Sequence, residues 1–247
     1  MIPIKSEKDL KMLKDSGKIL ARVLERLQEL IQPNLTTVEI DMLAEDLIER
    51  EGAVCAFKGY KGFPASVCTS INEEIVHGIP GNRRLKEGDI ISLDLGVNFK
   101  GYFSDAAVTL PVGRISPHLR NLLDVTRAAL SKGIQEARID NNLSDISHTI
   151  QSHVEKNGYS VVRQFVGHGI GFQLHEDPEI PNFGRPHLGP RLKKGMVLAI
   201  EPMVNMGTWE SEVLENGWTA VSKDKSPSAH FEHTVAITER GPQILTN

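Results

Sequence analysis

Two acids in this chain lie where acids are costly. Asp94 sits inside "ISLDLGV" and Glu201 inside "VLAIEPM". An ionised carboxylate in a near-continuous apolar strand is unfavourable unless it is paired or bound to a cation. Taken singly, either acid also reads as half of a buried salt bridge, or as a strand-end acid turned to water. Asp105 in "FSDAAV" and Glu232 in "HFEHTV" are less apolar in context, and each alone reads more simply in that way. A different signal is "VGHGIGFQLHEDP", Val166 to Pro178, where His168 and His175 stand seven apart among glycines with no helical or strand period. Glycines flanking His168 let the backbone approach closely and leave the ring free to turn. His175 lies too far along an extended segment to be taken as a second ligand beside His168, and suits a neutral donor to a developing oxyanion. A lone histidine is more often a structural donor, and His118, His148, His153 and His187 are read so.

The elements that must position these groups repeat. Residues 6–31 carry apolar side chains at helical spacing, from Leu10 and Leu13 to Leu27 and Leu30, with Ser6 and Asp9 as N-cap and partner. "QPN" at 32–34 breaks that helix, and Thr37 opens another that stops at Gly52. Strand candidates follow at "SVCTSI", "DIISLDLGV" and "GYFSDAAVTLPVG". After Pro117 the order begins again: a helix through Leu122 and Ala129, another from about Ser144 to Asn157, then strand candidates at "SVVRQF", "GMVLAIEP" and "HFEHTVAIT". "LKEGDIISLDLG" (85–96) aligns with "LKKGMVLAIEPM" (192–203), each with a glycine six residues before its acid, and "DAAV" aligns with "EHTV". We expect an α+β chain, one domain over 1–247, whose two similar halves, about 5–113 and 116–247, meet at the site. Four bare carboxylates converging there would repel one another. Divalent cations relieve that repulsion, and His168 adds an imidazole. Hard oxygen ligands with one imidazole suit manganese, iron, cobalt or zinc.

The composition fits. With 247 residues, 40% hydrophobic and 24% charged, the chain is of ordinary globular make-up. A net charge of −4 indicates no broad basic surface for DNA. Two cysteines, Cys55 and Cys68, make neither a disulfide framework nor a structural zinc site, and the chain reads as cytosolic. No targeting segment is visible, and no apolar run approaches the ~20 residues of a membrane span.

Several segments together resemble the bacterial type I methionine aminopeptidases over nearly the whole length: "GYKGFPASVCTSINEEIVHGIP" (59–80), "DIISLDLGV" with "GYFSDAAVTLPVG", "GHGIGFQLHEDP" (167–178), "GMVLAIEPMV" (195–204) and "SAHFEHTVAIT" (228–238). The resemblance implies the pita-bread fold, two pseudo-symmetric halves with helices packed on antiparallel sheet. It implies two divalent metal ions held by Asp94, Asp105, His168, Glu201 and Glu232, with Asp105 and Glu232 bridging. His168 and Glu201 then complete one metal and Asp94 the other, and Glu201 also relays a proton. His77 of "IVHGIP" and His175 match the two substrate-facing histidines. Phe57, Tyr60, Phe63, Cys68, Leu174 and Trp218 match the methionine pocket, although each singly could be core. A monovalent cation near Asn72, Glu74 and Ser228 is a further implication. So are nascent N-termini bearing Met before a small residue, a transient ribosome association, and a monomer. Three positions depart from the usual pattern: Phe57 for cysteine, Leu174 for phenylalanine and His230 for glutamine. His230 should add an ionisable group near Glu232. Aminopeptidase P, prolidase and creatinase share "DLGVNFKGYFSD"-like stretches but usually carry a further N-terminal domain. A non-catalytic binding protein on the same fold is the remaining alternative.

Overall fold

The computed structural model describes residues 1–247. In chain order its elements are α1 (Glu7–Leu30), α2 (Thr37–Arg50), β1 (Val54–Cys55), β2 (Cys68–Ile71), β3 (Glu74–Val76), β4 (Ile90–Phe99), β5 (Tyr102–Pro111), α3 (Pro117–Glu136) and α4 (Leu143–Lys156). Then follow β6 (Ser160–Val161), β7 (Gly167–Gly169), β8 (Glu176–Ile180), β9 (Val197–Ile200), β10 (Met203–Asn205), β11 (Ser211–Val213), β12 (Ala220–Ser222), β13 (Ser228–His230), β14 (His233–Thr238) and β15 (Gly241–Ile244).

The helices begin where their caps dictate. Ser6 and Asp9 form a capping box at α1, and Thr36 and Glu39 do the same at α2. Each pair satisfies N–H groups that a helix start leaves unpartnered. Leu13, Leu20 and Leu27 recur on one face of α1 and are fully buried, worth about 1.5–3 kcal/mol each relative to exposure. With α2, Leu20 and Leu27 cover the first large sheet, in which β4 is flanked by β1, β2 and β5, while Leu13 packs into the cluster that holds Phe57, Phe63 and Leu174. The helices α3 and α4 cover the second large sheet, ordered β15-β14-β9-β7-β8, through a separate apolar cluster. The strand pairs of both sheets are antiparallel.

The sheets are joined by buried threonines. Thr234 Oγ1 accepts from Asp105 N–H at 2.9 Å and donates to the Asp105 carbonyl at 2.8 Å. Thr109 Oγ1 does the same for His230 of β13, at 2.8 Å each way, and so ties the first sheet to the three-stranded sheet β13-β10-β6. Glu232 N–H donates to the Ala107 carbonyl at 2.9 Å.

Three strand expectations are corrected. "HFEHTVAIT" is not one strand: the chain breaks between β13 and β14, because Glu232 N–H turns away from its own sheet to reach Ala107. "SVCTSI" begins pairing only at Cys68, because the Ser66 and Val67 N–H groups are taken by the Asp41 carboxylate at 2.7 and 3.1 Å. "SVVRQF" keeps only Ser160–Val161 as strand, and Phe165 leaves the sheet line to pack edge-on against the His77 ring.

Candidate metal centre and substrate pocket

The hairpin of β4 and β5 pairs Asp94 with Ala107 and Gly96 with Asp105. Asp94 and Asp105 are therefore diagonal neighbours on one face. In the second sheet, His168 pairs with Ala199, and Ala199 with Thr234. Side chains two residues apart on a strand share a face, so Glu201 and Glu232 extend the face that carries His168. Thr234, on that same face, clasps Asp105. The two acidic faces thus close on each other.

All five groups are buried: Asp94 at 7% exposure, Asp105 at 3%, His168 at 7%, Glu201 at 9% and Glu232 at 2%. Ligand atoms of Asp105, His168 and Glu232 lie within 4.8 Å of one another. His168 Nε2 is 3.5 Å from Glu201 Oε1 and 4.0 Å from Asp105 Oδ2. Burial pushes the Asp94 and Glu201 carboxyls up to about 7, and burial with neighbouring carboxylates pushes Asp105 and Glu232 well up too. Without a cation the cluster therefore holds protons that it would otherwise shed.

The donor set fits a divalent cation. Asp94 Oδ1, Asp105 Oδ1 and Glu232 Oε1 are buried with no hydrogen-bond partner, a state that a bound cation relieves. His168 Nδ1 donates to the Gly169 carbonyl at 2.9 Å. That fixes the tautomer and leaves the Nε2 lone pair free, the usual arrangement of a metal-binding imidazole.

One cavity is lined by all thirteen residues expected at the site, with Lys61 and Val76 in addition. Phe63 meets Trp218 edge-on, with ring centroids 5.1 Å apart, and Phe57, Leu174 and Cys68 are buried beside them. Burial pushes the Cys68 thiol well up, so it packs as an apolar group. Burial lowers His77 to about 4, and burial with His168 alongside lowers His175 to about 3, so both rings are neutral near pH 7. His77 has φ +59°, a left-handed conformation costing about 1–3 kcal/mol for a non-glycine residue. Its ring is edge-on to both Phe165 and Trp218.

The segment after His168 is not extended. It folds back, so His175 lies beside His168 with centroids 4.1 Å apart. His175 Nδ1 meets Tyr60 Oη at 3.0 Å, and the two rings stack at 5.2 Å. The imidazole of His230 stands 3.5 Å from Glu201 Oε2, so the ionisable group it adds bears on Glu201. Elsewhere, His148 bonds the Gly184 carbonyl and His187 meets Asp145, both structural roles. Asn72 and Ser228 are joined by a backbone hydrogen bond of 2.8 Å, while Glu74 is engaged by Ile71 N–H and Arg83. Lys61 was not expected at the site. Its glycine-flanked place in "GYKGFP" was the available signal, and its Nζ lies 5.4 Å over the Tyr60 ring.

The model of metallopeptidase family M24 matches residues 11–239. The chain belongs to metallopeptidase family M24. This M24 chain is 53% identical to a methionine aminopeptidase of Clostridium perfringens over 246 residues, spanning 100% of this chain and 99% of that one. The crystal structure of the methionine aminopeptidase from Rickettsia prowazekii superposes with a TM-score of 0.99 at 41% identity, each chain covered in full. It follows that the M24 fold here is the pita-bread fold. A prolidase from Pyrococcus furiosus shares that fold alone, with a TM-score of 0.81 at 23% identity, and this chain covers 65% of it. No helix is long and apolar enough to cross a membrane.

Proposed function

We propose that this M24 metallopeptidase removes the N-terminal methionine from nascent polypeptides and peptides when the second residue is small. The observation that carries the proposal is the meeting of four buried carboxylates and one imidazole on the floor of a cavity with apolar walls. The full-length likeness to methionine aminopeptidases supports methionine as the residue that occupies those walls. The prolidase alternative rests on fold alone.

In this reading two divalent cations, of cobalt, manganese, iron or zinc, would be held by Asp94, Asp105, His168, Glu201 and Glu232. Asp105 and Glu232 would serve both. When bound, such cations lower the pKa of water and polarise a carbonyl. Phe57, Phe63, Cys68, Leu174 and Trp218 enclose the thioether side chain, and Tyr60 closes the mouth beside His175. Asp94 receives the free α-amine, which confines cleavage to the first peptide bond. Glu201 accepts the proton of the attacking water on its carboxylate and delivers it to the leaving amine. His175 donates from Nε2 to the carbonyl oxygen as negative charge develops there. Tyr60 O–H, donating to Nδ1, keeps the ring proton on Nε2. His77, neutral and wedged between aromatic rings, contacts the peptide from the opposite wall. A monovalent cation near Asn72, Glu74 and Ser228, a cytoplasmic monomer and a transient encounter with the ribosome complete the reading.

The test is a rate comparison on Met-Ala-Ser, Met-Ile-Ser and an X-Pro dipeptide with added manganese. A β-branched second residue is stiff at χ1 and cannot fold away from the cations, and misplacing the scissile carbonyl by about 1 Å costs on the order of 100-fold. Met-Ala-Ser should be cleaved far faster than Met-Ile-Ser. Comparable rates on the two would sink the small-residue specificity, and preferred cleavage of X-Pro would favour the prolidase reading.

A further inference from the structure

We propose that Lys5, far from the cavity in sequence and absent from its lining, is a positioning residue for His175. The proposal rests on the reading of His175 as the donor to the reacting carbonyl. Lys5 and Glu176 form a salt bridge whose side chains are 1% and 5% exposed. An ammonium taken that far out of water persists only with a partner, and Glu176 is the residue next to His175.

The geometry makes Glu176 the clasp of the loop that carries His175. Its Oε1 accepts from Phe172 N–H at 2.6 Å and from Gln173 N–H at 3.1 Å, while Oε2 faces Lys5 Nζ. One carboxylate thus ties together the turn before His175, the start of β8 and the N-terminal arm. Lys5 is itself anchored, because its N–H donates to the Gly195 carbonyl at 2.8 Å, just before β9. Its Nζ also lies 5.5 Å over the Phe172 ring. The chain makes room for Lys5 on both flanks, for its side chain at Gly171 and for its backbone at Gly195. A Cβ on Gly171 would come within 2.5 Å of Lys5 Cε, and one on Gly195 within 2.6 Å of the Lys5 carbonyl oxygen, each at a positive φ. From Glu176 the constraint passes directly to His175, whose ring is held from its other side by Tyr60.

A group that acts only by holding His175 should matter only while His175 is present. The experiment is a double-mutant cycle on the full chain with saturating manganese and Met-Ala-Ser. It combines Lys5→Met or Glu176→Gln with His175→Ala, reading kcat, KM and bound manganese. The glutamine keeps an acceptor for the two loop N–H groups. We expect Lys5→Met to lower kcat about tenfold, with KM within about twofold and metal content unchanged. In the His175→Ala background the same substitution should cause no further fall, because coupled residues are not additive. Unchanged kcat in folded Lys5→Met would overturn the proposal, as would an equal fall in both backgrounds or loss of manganese. Should Lys5→Met fail to fold, Lys5→Met with Glu176→Gln leaves no buried charge unpaired and is carried through the same cycle, with the same fall expected. Loss of turnover in His175→Ala beside an intact Lys5→Met overturns this inference alone. Full turnover in His175→Ala overturns the reading of His175 beneath it.

Discussion

The rings of His168 and His175 lie 4.1 Å apart at a tilt of 35°, although the turn between them belongs to neither strand that flanks it. Each ring is fixed through Nδ1, His168 by the Gly169 carbonyl and His175 by Tyr60 Oη. Each therefore has Nε2 free, but for opposite tasks. In the proposed reading one would offer a lone pair and the other a proton.

Replacing His168 or Glu232 by alanine should remove metal and activity together. In the proposed reading each change would delete a ligand and leave the neighbouring buried carboxylates uncompensated. Metal analysis of the purified variants beside turnover on Met-Ala-Ser checks this. Normal metal content with normal turnover in either variant would exclude that residue as a ligand.

His175→Ala should fold, keep its metal and lose at least ~100-fold in turnover, the usual scale for one oxyanion donor. A variant emptied of metal would make His175 a ligand instead. One with an unchanged rate would reduce it to a packing residue.

Tyr60→Phe keeps the ring that stacks on His175 and removes only the hydroxyl 3.0 Å from Nδ1. Freed of that bond, the imidazole can carry its proton on either nitrogen. A fall in kcat of about tenfold with KM and metal little changed is expected, the size of a lost orienting hydrogen bond near 1.4 kcal/mol. Equal kcat in the two proteins would show that the tautomer is set elsewhere.

Metal-free protein should lose stability as the pH rises from about 6.5 to about 8. Asp94 and Glu201 keep their protons in the folded cluster up to about 7, against 3.8 and 4.5 as ordinary values. The stability this confers is complete below the ordinary values and is lost as pH climbs through about 7. His77 and His175 are lowered on folding, so their opposing slope lies below their ordinary 6.5 and leaves this window clear. With saturating divalent cation the carboxylates are ionised when folded, and the fall should vanish or reverse. Melting midpoints with chelator and with manganese across that window decide it, and a flat or rising midpoint in chelator contradicts the cluster electrostatics.

The convergence of Asp94, Asp105, His168, Glu201 and Glu232 was legible because acids within apolar strands announce themselves, and because two aligned strand segments imply two faces that meet. The capping boxes of α1 and α2 were legible for a similar reason, since Ser6 with Asp9 is a purely local signal. What escaped depends on contacts between distant segments. Nothing in "GHGIGFQLHEDP" states that it folds back on itself, because the clasp is Glu176 and its counter-charge is Lys5, 171 residues earlier. The ring of His230 meets Glu201, 3.5 Å away on a distant segment that "SAHFEHTVAIT" does not name. Tyr60 lines the cavity, and its bond to His175 spans 115 residues and leaves no trace in local pattern.

The Thr234 clasp on Asp105, between the two large sheets, carries a consequence in time. Asp105 is made early, but its N–H and carbonyl wait for the hydroxyl of Thr234, and its cluster waits for Glu232. A growing chain can complete its first sheet and cover it with α1 and α2 while it still has no catalytic centre at all. A chain that ends before residue 232 carries Asp94, Asp105, His168 and Glu201 but has neither Glu232 nor the Thr234 hydroxyl that clasps Asp105, so its cluster stays open.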